Sequence, residues 1–197
     1  MEETAEVAVP LHRLEVPAPQ ILPFAIGSFD SIGPMSRASF PHRHTFHEIV
    51  YVTGGRGEHV IDLCRRPVAP PNLCFIAPGQ VHHWERAREL TGWVVLFDDA
   101  FLLAHPTDRD TLRGLGERPW RRLDAPTAAG VAPLLAEMVR EYQTQRPGMV
   151  SVLQAYLHIL LVRAARPYDP PSSTPAGEPA GEPGVGPAQV GPSPAVA

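Results

Sequence analysis

Between His47 and Asp98 the sequence holds five short runs rich in β-branched and aromatic residues: HEIVYVT, GEHVIDL, LCFIA, VHHWE and TGWVVLFD. Between them stand Gly54-Gly55, the Pro-rich RRPVAPPN, the turn PGQ and the polar RAREL, and no helical period intervenes. A parallel sheet needs a long crossover, usually a helix, between successive strands. Strand-like runs this close together therefore predict an antiparallel sandwich or barrel, with Gly54-Gly55 as a hairpin turn. A weaker alternation in ILPFAIGSFD sets Phe24, Ile26 and Ser28 on one face and predicts a strand ahead of these. SIGPMSRASF then reads as a loop.

After Asp98 the pattern changes. DDAFLLAHPTDRDTLRGLGERPW mixes a short apolar piece with Gly and Pro breaks and reads as a connection. Asp124 offers a helix N-cap, Pro126 suits the first turn, and Val131, Leu134, Leu135, Met138 and Tyr142 recur at helical spacing. Gly130 and Pro133 argue for a break, because an interior proline loses a hydrogen bond and crowds the preceding turn, so the regular helix is expected from about Ala132. In MVSVLQAYLHILLVRAAR the stripe Met149, Leu153, Tyr156, Leu157, Leu160 and Leu161 is widened by Val150, Val152 and Ile159. An apolar arc that wide suits two neighbours for this helix, the barrel or the first helix and a second subunit, or equally a helix well buried within its own domain, since the pattern shows burial and not what buries it.

The tail from Pro167, rich in Pro, Gly, Ala and Ser, has almost no large apolar residue and is expected to be disordered, since it cannot offset its chain entropy. Residues 1–20 are punctuated by proline and read as a flexible arm, 21–98 as the barrel, and 99–166 as a connection and helical dimerisation region. The net charge is −4 with every basic residue an arginine, so no basic footprint points to nucleic acid. No apolar run approaches the ~20 residues of a membrane span, and the N-terminus lacks the basic start and apolar core of a signal peptide, which predicts a cytoplasmic protein. Cys64 and Cys74 lack CxxC spacing and read as buried structural thiols.

Most of the chemistry is concentrated between Pro41 and Trp84. Residues two apart on a strand face the same way, so His42, His44 and Glu48 share one parity, while His82 and Trp84 arrive from another strand after PGQ. Imidazole and carboxylate at these spacings form a candidate site for a divalent transition metal, with His42, His44, Glu48 and His82 as ligands. The same side chains also suit a pocket without metal, in which His44, Glu48, His82 and Trp84 contact a small molecule. His47 and His59 have the wrong parity or no motif, His83 faces away from His82, and His12, His105 and His158 read as incidental.

HRH, Glu48 and Gly54-Gly55 resemble the first cupin motif and APGQVH resembles the second, with Pro78 directly before Gly79 rather than two residues earlier. FPHRHTFHEIVYVTGG, FIAPGQVHHW, GWVVLFDDAFLL and the two helices that follow resemble, over residues 21 to 166, the N-terminal sensing and dimerisation domain of AraC-type transcription regulators. That resemblance implies a mainly β fold, a cupin-type antiparallel β-barrel (jelly roll) followed by two C-terminal α-helices. It also implies a small-molecule effector in the barrel, an arm that can fold over it, and a homodimer or a heterodimer with a full-length regulator. The helix-turn-helix domain that normally follows is missing after Arg166, so no direct nucleic-acid contact is expected. The other reading is a small metal-dependent cupin enzyme, a dioxygenase or isomerase.

Overall fold

The computed structural model describes residues 8–16 and 22–166. In chain order the strands are β1 (Leu11–His12), β2 (Phe24–Ser28), β3 (Arg43–His44), β4 (His47–Ile61), β5 (Cys64–Pro67), β6 (Asn72–Ile76), β7 (His82–Phe97) and β8 (Trp120–Arg122). The α-helices are α1 (Asp108–Gly116), α2 (Ala125–Thr144) and α3 (Met149–Ala165). The main sheet runs β2-β7-β4-β6-β8, with β5 paired to the far end of β4, and every pairing in it is antiparallel. The mainly β, helix-terminated fold expected from the sequence is what the chain adopts.

Both faces of this sheet are apolar. Ile49, Tyr51, Leu73, Phe75, Val95 and Phe97 face the helices in one core, and Val50, Val52, Cys74, Ile76 and Val94 form a second core with Phe29, Ile61, Trp84 and Leu90. Among the described residues no helix contributes to the second core, which is covered by the strands and by the loop that carries Phe29 and Ile32. The sheet does this by curling. Early β7 pairs with late β4 on one side, while on the other His42 forms a bridge with His82 and the Trp84 N–H donates to the Ala38 carbonyl.

Several details differ from expectation. Gly54-Gly55 is not a turn: β4 runs through it with bulges between Val52 and Glu58, and RAREL lies inside a continuous β7. Gly55 and Gly57 adopt positive φ, which lets the strand bend without ending. The hairpin turn falls instead at Asp62 and Leu63, both left-handed, and leads into β5. α1 and β8 appear in the stretch read as a connection, and within the expected arm β1 pairs in parallel with β3. Cys74 is buried but Cys64 is exposed on β5, an outermost strand that pairs only with β4, so it is not a buried thiol. The tail and residues 1–7 and 17–21 lie outside the described residues.

The expected break in the first long helix does not occur. α2 is continuous from Ala125, capped by Asp124, whose Oδ1 accepts from the Thr127 N–H at 2.7 Å, and contains Pro133. An interior proline costs about 3 kcal/mol. α2 buries Val131, Leu134, Leu135 and Met138, each contributing roughly 1.5–3 kcal/mol, and that burial outweighs the cost.

Candidate functional site

At the curl of the sheet three strands bring four polar side chains into the interior. His44 from β3, Glu48 from β4 and His82 from β7 offer ligand atoms within 4.8 Å of one another, and all three residues are buried. The Glu48 Oε2 lies 3.4 Å from His44 Nε2 and 4.0 Å from His82 Nε2. His42 is also buried but stands to one side. Its Nδ1 bonds the Phe40 carbonyl at 3.0 Å, and its ring packs against that of His82 with centroids 4.3 Å apart. Of the four predicted metal ligands, the fold therefore joins three and makes His42 their neighbour.

The hydrogen bonds on the far side of each ring set the chemistry on the near side. The Phe46 carbonyl can only accept, so at 2.7 Å it accepts a hydrogen bond from His44 Nδ1–H, and a neutral His44 then presents a lone pair at Nε2. His82 Nδ1 meets His59 Nε2 at 3.4 Å, and His82 Nε2 again points toward Glu48. Neither His44 Nε2 nor His82 Nε2 makes a hydrogen bond, although both are buried; the 3.4 Å approach of His44 to Glu48 is off the hydrogen-bonding direction. With its proton on Nδ1, His44 turns a lone pair at the Glu48 carboxylate oxygen 3.4 Å away, and a cation between them would relieve the repulsion.

Desolvation dominates the electrostatics. It drives the pKa of His82 down to about 3 and that of His59 down to about 3, and it lowers His42 as well. Burial pushes the Glu48 carboxyl up, but the contact with His44 and the closeness of the His82 and His42 rings outweigh it and leave Glu48 below the ordinary range. At neutral pH the Glu48 carboxylate thus stands beside neutral rings at His82 and His42.

Trp84 shares the interior with His82 but does not line the cavity at the cluster. Its indole N–H donates to the Ser36 carbonyl at 2.9 Å, and its ring stacks on His59 with centroids 3.9 Å apart. His59 is the functional neighbour that sequence reasoning missed. It lies opposite Trp84 in the β4–β7 ladder, and the bulges between Val52 and Glu58 shift the pairing by one residue. Even positions face this interior at the start of β4, whereas odd ones, His59 and Ile61, face it at the end. The Gly-rich stretch between them is the signal that strict alternation fails there. His47 faces the other way and bonds Asp99 at 2.8 Å.

The cavity beside the cluster has a volume of about 50 Å³, and His12 of β1 forms part of its wall. That space holds an ion with a few waters and is far below the roughly 300 Å³ at which ligand pockets begin. Larger cavities lie elsewhere: one of about 680 Å³ beside β5, β6 and β8, and one of about 410 Å³ between the start of α2 and the end of α3.

Residues 32–161 match the model of the AraC-like ligand binding domain. The HTH-type transcriptional activator RhaR of Mannheimia succiniciproducens is 25% identical over 125 residues, which cover 62% of this chain and 45% of that protein. The chain thus spans less than half the length of this curated relative. Among solved structures, the AraC-like transcriptional activator CuxR aligns with TM-score 0.42 and 17% identity, over 60% of this chain and 42% of that one. A cupin 2 conserved barrel domain protein from Salinispora arenicola aligns with TM-score 0.30 and 22% identity, over 46% of this chain and 72% of that one. With well over half of its 197 residues matched to one domain model, the chain belongs to the family of AraC-like ligand binding domains.

Proposed function

We propose that this chain is the effector-sensing and dimerisation module of an AraC-type transcription regulator. The observation that carries the reading is the family membership of residues 32–161, a span that includes most of α3 and every strand of the curled sheet except β2. A small molecule acts by binding unequally to two arrangements of the arm (1–20), the sheet (21–98) and the helical region (99–166), since equal binding would shift nothing. Pairing with a second copy, or with a full-length regulator that reads DNA, uses the exposed apolar face of α3, where Val152, Ile159 and Val162 stand on the surface. The family does not favour the enzyme reading.

His44, Glu48 and His82 hold one divalent transition metal in this proposal, with His42 and Trp84 as packing neighbours. Support comes from the two buried Nε2 atoms without partners, which meet a carboxylate in a donor set suited to such ions. A bound ion would tie three strands together. His44 and His82 are oriented for that task by the Phe46 carbonyl and by His59, on the far side of each ring.

Two measurements test this. Elemental analysis of protein purified without a His-tag is expected to find close to one equivalent of transition metal, lost in His44→Ala; a metal-free wild type sinks the metal site. A thermal-shift screen of small metabolites tests sensing. A ligand at a hundredfold its Kd adds about 2.7 kcal/mol of stability, and a broad screen in which nothing shifts the melting temperature counts against an effector.

A further inference from the structure

We infer that the large groove beside β5, β6 and β8 is the effector site, and that it takes a small hydroxycarboxylate. This rests on the sensing reading above and deepens it by naming place and ligand class. The volume is the first argument. The groove holds about 680 Å³, within the span of small-molecule pockets, whereas the cavity at the histidine cluster holds about 50 Å³.

The second argument is charge. Arg66 of β5, Arg122 of β8 and Arg118 in the loop before β8 line the groove. Nearby Arg65 and Arg86 are paired with Glu58 and Glu85, but among the described residues no carboxylate lies within ion-pair distance of Arg66, Arg118 or Arg122. Two carboxylates share the lining. Asp62 is engaged by the Gln80 side chain and the Val81 N–H, and Glu117 is exposed. Guanidinium groups left unpaired around a concave surface suit a planar oxyanion, which they bind through paired N–H donors.

The third argument is polar atoms without partners. Trp120 and Asn72 both line the groove, and the Trp120 Nε1 donor and the Asn72 carboxamide oxygen are buried with no hydrogen bond. Leaving such groups unsatisfied is costly. A carboxylate accepts from the arginines, and small rotations of the bordering Trp120 and Asn72 side chains turn the indole N–H and the carboxamide oxygen to the carboxylate and hydroxyl of the same molecule. Arg66 lies over the Trp120 ring at 5.9 Å, which sets cation and indole at one location. From Trp120 the interior continues through His59, 6.4 Å away ring to ring, to His82, so an occupant of the groove lies against the residues behind the candidate metal site.

The test uses the full chain and two acids, 4-hydroxybenzoate and gluconate, with 4-hydroxybenzyl alcohol and glucose as their neutral counterparts, titrated by calorimetry. At least one acid is expected to bind saturably and at least tenfold more tightly than its counterpart, and the Arg66→Gln/Arg122→Gln double variant to weaken it about tenfold or more. Both arginines are exposed, so that variant should fold; Trp120→Phe tests the indole donor separately. Alkylation by iodoacetamide locates the ligand, since Cys64 is exposed in the groove while Cys74 is fully buried. Bound acid should slow modification of Cys64, and His44→Ala should leave acid binding intact. The proposal is overturned if neither acid saturates, if the arginine variant binds equally well, or if Cys64 is not protected. Binding of glucose or the alcohol alone would also overturn it while leaving the sensing reading in place.

Discussion

His59 and His82 sit ring against ring in the interior, and burial holds both near a pKa of about 3. In the unfolded chain each takes up its proton near 6.5. Between those values the unfolded state binds more protons than the folded one, so stability is lost as the pH falls. His42, also lowered by burial, and Glu48, lowered by its histidines against burial, act in the same direction. Urea denaturation between pH 6.5 and pH 4 should therefore show stability dropping by about 1.4 kcal/mol per pH unit for each fully buried histidine, or about 2.7 for the pair. His59→Gln should remove about half of that slope; an unchanged slope would mean that His59 is protonated in the folded state. Of these residues His42, His44, Glu48 and His82 are legible in the sequence, because HRH and APGQVH set their spacing. His59 is not, because its orientation depends on a bulge that only strand pairing creates.

At the scale of elements, the bend of β4 and β7 decides whether an interior site exists at all. Gly92 of β7 has φ +135, and a Cβ there would run into the carbonyl oxygen of Tyr51 on the paired strand. Gly92→Ala should destabilise the fold by about 3 kcal/mol or more, through backbone strain and a contact that cannot relax without breaking the ladder. Gly114 of α1 provides the matched comparison, since a Cβ there meets nothing within 4 Å and its φ is ordinary. Gly114→Ala should stabilise by about 0.5–1 kcal/mol. Chemical denaturation midpoints of the two variants check the pair together. The sequence marks where the chain departs from regular strand but not how: glycines occur in turns and bulges alike, and the partner strand decides which forms.

For the whole molecule, α3 carries the question of assembly. Leu153, Leu157, Leu160 and Leu161 are buried among the helices and sheet, whereas Val152, Ile159 and Val162 remain 37–38% exposed. Ile159→Glu should convert a dimer to a monomer in sedimentation velocity with little loss of melting temperature, because the side chain faces outward. A wild type that sediments as a monomer, or a variant that stays dimeric, would assign assembly to another surface. By itself, the sequence determined the antiparallel β class, the two long helices, the Asp124 cap and the grouping of His44, Glu48 and His82, since local period and residue chemistry carry each of these. Only the tertiary structure decided that Pro133 is tolerated, that His42 stands aside, that Trp84 braces His59 and that the roomy cavity lies away from the histidines. Each of those depends on which distant side chains share a space, and burial among long-range neighbours can outweigh a local preference of a few kcal/mol.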